Sequence, residues 1–119
     1  MLVEYDGGSC ECFSSKEIRA VLELRNTNNE NEFWISGECS YPCMALLVKG
    51  GFAHVSYFPE GGQPGFVSLN QADSSGKTVF IKDFEIDSEN MVEYNEAVVA
   101  VLQFYKNRKM PDNFNWFEI

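Results

Sequence analysis

The chain has 119 residues, 45% apolar and 14% aromatic, which fits one domain with a single core and argues against disorder. Eighteen acidic against nine basic residues leave a formal charge of −9, which repels phosphate backbones and anionic lipid and so disfavours nucleic acid and membrane as direct partners. The longest aliphatic stretch, residues 44–48, is strand-sized and far short of the ~20 residues of a membrane span.

The opening MLVEYDGG lacks a basic stretch followed by an apolar one, so no secretory signal is expected and the chain reads as cytoplasmic. Residues 2–6 alternate and stop at Gly7 and Gly8, the pattern of a short strand. Ser14, Ser15, Lys16 and Glu17 match a capping box, with the Ser14 hydroxyl on the Glu17 amide and the Glu17 carboxylate on the Ser14 amide, so a helix is predicted to start there. Ile18, Val21, Leu22 and Arg25 then recur at helical spacing, and the polar run 26–29 is expected to stop the helix.

From Glu32 the period changes to two. Residues 32–39 carry strand formers, and 43–58 give two apolar runs around Gly50 and Gly51, a dipeptide suited to a two-residue hairpin. The unbroken run 44–48 predicts a central strand covered on both faces, whereas Ala53, Val55 and Tyr57 alternate with their neighbours. Residues 65–69, 77–81 and 83–87 read as further strands, with a polar turn over 71–76. Ala97, Val98, Val101, Leu102 and Tyr105 then form an apolar helical stripe, with Lys106, Arg108 and Lys109 at its negative pole and Pro111 barring continuation. Residues 115–119 read as a last strand. The expected fold is a single α+β domain over residues 1–119, a mainly antiparallel sheet with two helices packed on it.

Residue types that carry chemistry are sparse. His54, the only histidine, lies mid-strand with no nucleophile placed by spacing, and reads as a surface or edge side chain. Glu85, Asp87, Glu89 and Glu93 lack the calcium-loop glycine and terminal glutamate, and read as a solvated acidic face. GGQPG has neither the lysine nor the serine or threonine of a nucleotide loop. Cys10, Cys12, Cys39 and Cys43 leave three states open: free thiols, a zinc site for which C-x-C spacing is tight, or a disulfide. Cys43 heads an apolar run, and Cys10 and Cys12 are expected in a loop before the first helix.

The order of features carries more. Tyr41, Pro42 and Cys43 entering an apolar strand, a Gly-Gly hairpin, a strand ending in YFPEGGQPGFVSL, the helix NEAVVAVLQFYKNRKMP and the closing NWFEI resemble the first immunity-protein family of bacterial polymorphic toxin systems, from about residue 34 onward. FPEGGQPGF and the Trp-x-Glu of Trp116 and Glu118 are the most specific parts. The resemblance implies a cytoplasmic antidote, not an enzyme and needing no cofactor, that occludes a cognate basic toxin domain of the deaminase or nuclease class. The free chain is then expected to be a monomer or weak dimer. The toxin contacts it implies are Tyr57, Glu60, Gln63, Phe66, Trp116 and Glu118. Two readings of FPEGGQPGF stand together: prolines and glycines stiffen a crossing with Phe58 and Phe66 in the core, and the same stiffness presents Glu60 and Gln63 at little ordering cost. The alternatives from other classes are a zinc-binding or redox-sensing module built on the four cysteines, and a structural subunit.

Overall fold

A computed structural model describes residues 1–70 and 75–119. Its framework is an antiparallel sheet of β1 (Leu2–Tyr5), β2 (Gly8–Glu11), β3 (Glu30–Ser36), β4 (Cys43–Lys49), β5 (Phe52–Phe58), β6 (Phe66–Leu69), β9 (Met91–Glu93) and β10 (Asn115–Glu118). The strand order is β10-β6-β5-β4-β3-β1-β2, with β9 also on β5. The β4–β5 hairpin pairs Lys49 with Phe52 across Gly50 and Gly51, and Gly50 takes the positive φ of 57° that such a turn favours.

Pairing register separates the two faces, because residues directly opposite each other across the ladder point the same way. Val3, Ile35, Met44 and Tyr57 lie in one row, Phe33, Leu46 and Val55 in the next, and Val48, Ala53 and Val92 beyond. All are buried under the helices α1 (Ser15–Leu22) and α2 (Tyr94–Asn107). From α1, Ile18, Val21 and Leu22 enter this core; from α2, Ala97, Val98, Ala100, Val101 and Phe104 do. The architecture is α+β, as composition and period require.

Local details depart from the sequence reading. Ser14 accepts from the Glu17 amide at 3.2 Å, but the Glu17 carboxylate takes the Phe13 amide, at 2.6 Å, in place of the Ser14 amide. The helix ends at Leu22, before the polar run. Arg25 lies beyond it, donates to the Leu22 and Leu24 carbonyls at the helix end and stacks 4.8 Å over the Tyr94 ring. Cys10 belongs to the strand β2, which the sequence reading left as loop.

Burial along β4 alternates, with Ala45 and Leu47 only half covered. One face of that strand is therefore sealed by the helices while the other is open over part of its length. The cover on the open side is a separate hairpin, β7 (Thr78–Ile81) and β8 (Phe84–Asp87). Ile81 is fully buried beneath it, the Lys49 ammonium donates to the Phe80 carbonyl at 3.0 Å, and Lys82 reaches Asp6 at 2.9 Å and Glu32 at 3.0 Å. Hydrogen bonds to Asp6 and Glu32 hold the Lys82 ammonium above its ordinary pKa. The polar turn expected over 71–76 falls mostly outside the described residues.

His54 is not an edge residue. It sits in β5 between Leu47 of β4 and Met91 of β9, partly buried, and burial pulls its pKa below the ordinary value. At this point the second side of β5 changes partner: residues 52–54 pair with β9, and Ser56 and Tyr57 pair with β6. The Val55 amide faces the junction and donates to the Ser68 hydroxyl at 3.1 Å, which donates in turn to the Asn90 carbonyl at 2.8 Å. The Asn90 side chain closes the loop on the Ser68 carbonyl, and His54 Nδ1, 3.1 Å from the Asn90 carbonyl, can act only as its donor.

Candidate functional site

The segment 58–66 leaves β5 at Phe58 and rejoins the sheet at Phe66. Glu60, Gly61, Gly62, Gln63 and Pro64 are exposed, and Gly65 is buried. The glycines serve different ends. Gly62 adopts a φ of 75°, which L side chains resist, with open space around it. Gly65 has no room: a Cβ there would lie 2.6 Å from both the Phe58 ring and the Tyr57 carbonyl. A Cβ on Gly61 would stand 3.0 Å from the Tyr41 ring, so Tyr41 flanks the loop. The Ile119 amide donates to the Gly65 carbonyl at 2.9 Å and ties the end of the chain to the same corner. The loop is braced at its foot and free at its tip.

The six expected contact residues divide by environment. Glu60 and Gln63 are at the exposed tip, and Glu118 is exposed on β10, an outer strand of the sheet. Tyr57 is a core residue at 7% exposure, edge-on to Phe104 with ring centroids 6.1 Å apart, and so corrects the expectation that it is presented to a partner. Phe66, opposite both Tyr57 and Glu118, packs partly buried against the core. Trp116 does likewise, 4.8 Å from the Phe114 ring, and its indole donates to the Pro111 carbonyl at 2.7 Å. That bond ties β10 to the segment that follows α2. Phe58 does not enter the core with Phe66; it turns to the opposite face of the sheet and stacks on Trp34 at 5.9 Å.

That opposite face carries the aromatic residues the sequence reading passed over. Glu4, Trp34, Ala45, Ser56, Val67 and Phe117 are consecutive partners across six strands and form one row on the side away from the helices. Trp34 is 44% exposed and Phe117 55% exposed. Trp34 Nε1 donates to Glu32 at 2.9 Å, which fixes the ring. One signal was available: in Phe33, Trp34, Ile35 both phases of a period-two strand are apolar, so one large side chain has to face away from the core.

The cysteines do not come together as a set of four. Cys10 and Cys12 have sulfurs 3.8 Å apart, Cys39 is exposed, and Cys43 is buried at the head of β4. Burial, reinforced by a hydrogen bond to Cys10, pushes the Cys12 thiol up to about 11. Among the described residues, no three or more His, Cys, Asp or Glu side chains group closely enough to hold a metal ion. A groove of about 440 Å³ between residues 37–42 and the end of α2 is lined by Tyr41, Lys106 and Arg108. The Arg108 guanidinium there is spent on the Phe104 and Tyr105 carbonyls, capping the helix. No helix among the described residues is long and apolar enough to cross a membrane.

No protein-family model matches the chain, and a search of curated proteins finds no match.

Proposed function

We propose that this chain is an immunity protein that binds a cognate, basic bacterial toxin domain in the cytoplasm and neutralises it by stoichiometric occlusion. The observation that carries the reading is the FPEGGQPGF segment: a loop braced by Gly65, Tyr41 and Ile119 that holds Glu60 and Gln63 in solvent on a chain of charge −9. A braced loop loses little conformational freedom on docking, so more of its contact energy survives as affinity. A toxin that grips nucleic acid needs cationic surface; an acidic protein is steered toward that surface and competes there with the phosphate backbone. Deaminase chemistry is the favoured target class, with nucleases second.

The test is co-expression and co-purification with the toxin domain encoded beside it. The expected result is rescue of growth and a one-to-one complex of nanomolar or tighter affinity. Its association rate should fall on going from about 0.05 to 0.3 M salt, because the Debye length shrinks to a few ångströms over that range. Glu60→Lys should slow association without changing the melting temperature. A toxin that kills equally fast in the presence of this chain would remove the reading.

One observation keeps a redox-sensing module as a second reading: the 3.8 Å separation of the Cys10 and Cys12 sulfurs, with Cys39 and Cys43 apart from them. Reversible loss of two free thiols per chain on mild oxidation, abolished by the double change Cys10→Ser and Cys12→Ser, would favour it over the first.

A further inference from the structure

We infer that the open half of the outer sheet face, walled by Trp34 and Phe117, is where an arginine-bearing segment of the cationic partner docks, an inference that rests on the immunity reading. Trp34 and Phe117 stand four strand spacings apart in the row described above, about 19 Å at the usual separation of neighbouring strands. In that row Ala45, Ser56 and Val67 lie between them, and the Phe58 ring of β5 stacks on Trp34 over the Ala45 end, so Trp34 and Phe58 form one wall. The small Ser56 and Val67 side chains between that stack and Phe117 leave a shallow trough about two strand spacings, or about 10 Å, across, which takes an extended segment.

The trough is prepared on one side and anionic at its rim. The Trp34 ring is held by its hydrogen bond to Glu32 and by its stack on Phe58 at 5.9 Å, so it is fixed before any partner arrives. Register places Glu4 beside Trp34 on the same face, while Glu60 follows two residues after Phe58, and both are exposed; Glu11, opposite Leu2, is paired with the N-terminal ammonium at 3.4 Å. The one cation on the adjoining hairpin turn, Lys82, is already bound to Asp6 and Glu32, so the charge left over at this end of the face is negative. Aromatic planes with carboxylates around them match guanidinium better than ammonium, because a guanidinium stacks on the ring face while its edge bonds a carboxylate. A charge of −9 on every chain works against a second copy as the occupant.

The experiment measures binding of a catalytically inactive form of the toxin domain encoded beside this chain to wild type, Trp34→Ala, Phe117→Ala, Ala45→Lys and Phe13→Ala. Trp34→Ala should weaken affinity about thirty-fold or more, as truncation of a central aromatic anchor does. Phe117→Ala should weaken it several-fold, and Ala45→Lys, which puts a cation at the foot of the Trp34–Phe58 wall, at least as much as Trp34→Ala. Phe13 is 75% exposed before α1, and Phe13→Ala should leave affinity unchanged. Melting curves identify any variant that has lost its fold, in which case the remaining two on this face decide. If wild type binds and the three face variants bind within two-fold of it, the face is not the site and the immunity reading survives; if wild type itself fails to bind, that reading falls. Sedimentation of the free chain adds one arm: a dimer abolished by Trp34→Ala would assign the trough to self-association and overturn the inference.

Discussion

Gly65→Ala tests whether the loop at 58–66 is braced by packing or merely flexible. The added methyl would sit 2.6 Å from the Phe58 Cδ1 atom and 2.6 Å from the Tyr57 carbonyl oxygen. The ring can turn, but the carbonyl belongs to a strand paired with β4 on one side and β6 on the other, and it cannot retreat without disturbing those ladders. Overpacking of this kind costs about 1–3 kcal/mol, and a clash with backbone puts the value near the top. With an unfolding entropy of about 2.1 cal/mol/K per residue, 119 residues give about 0.25 kcal/mol/K, so a cost near 3 kcal/mol lowers the melting temperature by about 12 °C. Two glycines calibrate the result. Gly62→Ala meets no atom within 4 Å but must hold a φ of 75°, a strain of about 1 kcal/mol or about 4 °C. Gly51→Ala has open space and no positive φ, and should stay within about 0.5 kcal/mol of wild type. Calorimetry or circular dichroism of the three variants reads the order directly. A Gly65→Ala protein melting no lower than Gly62→Ala would refute the packing argument and with it the rigidity attributed to the loop.

Ser68→Ala leaves the Val55 amide without its acceptor and removes one donor from the Asn90 carbonyl, which should cost about 2–3 kcal/mol and speed hydrogen exchange at Val55 well beyond its strand neighbours. His54 is held neutral by burial, so below its ordinary pKa of 6.5 the unfolded chain binds the proton that the folded chain refuses. Stability should therefore fall as pH drops from 6.5 through the lower folded value, and melting curves between about pH 7.5 and 5.5 should slope less for His54→Gln than for wild type. Alkylation followed by mass spectrometry at about pH 8 should label exposed Cys39 first and Cys10 next, with buried Cys12 and Cys43, both thiols pushed up by burial, protected until the chain unfolds.

What could be read from the sequence was whatever rests on local repetition. The apolar runs around Gly50 and Gly51 gave β4, β5 and their hairpin, and the helical stripe from Ala97 to Tyr105 gave α2, because each is a local repeat; the unbroken run 44–48 did not show that Ala45 and Leu47 would be only half covered, since the cover of that face comes from the distant β7–β8 hairpin. Ser14, a local signal too, gave the start of α1. Its end was misplaced because burial stops at Leu22, with Leu24 already exposed, so the helix ends before the polar run. His54 was misread because its cover comes from β9 and Asn90, thirty-six residues on, joined to it by a change of strand partner that leaves no mark in sequence. The loop residues Glu60 and Gln63 were legible as exposed, since no glycine-rich turn of that composition packs inward. Tyr57 was not legible as core from the motif, because its burial depends on Phe104 and Trp116 arriving from the far end of the chain.

The placement of the helices bears on how binding and stability can be separated in this molecule. Both helices and the core residues Val3, Phe33, Ile35, Met44, Leu46, Val48 and Val55 lie on one side of the sheet, while Trp34, Phe58 and Phe117 stand on the other. Substitutions of Trp34 and Phe117 in the outer row remove no atom from the main core, so their effect on stability is limited to contacts on the outer face, chiefly the Trp34–Phe58 stack, about 0.5–1.5 kcal/mol for an aromatic pair, and the Trp34–Glu32 hydrogen bond. Their effect on an interface can be larger, because a fixed aromatic anchor is where binding energy concentrates. Under the immunity reading, a sheet built this way lets the contact face change to follow a changing partner while the helix-covered side keeps the fold. The loop does not share that freedom at its foot, where Gly65 belongs to the packing of β5, but it does at its tip, where Glu60 and Gln63 are exposed. Replacing those two side chains and the outer row together, with the glycines kept, should therefore alter which partner is bound before it alters whether the chain folds.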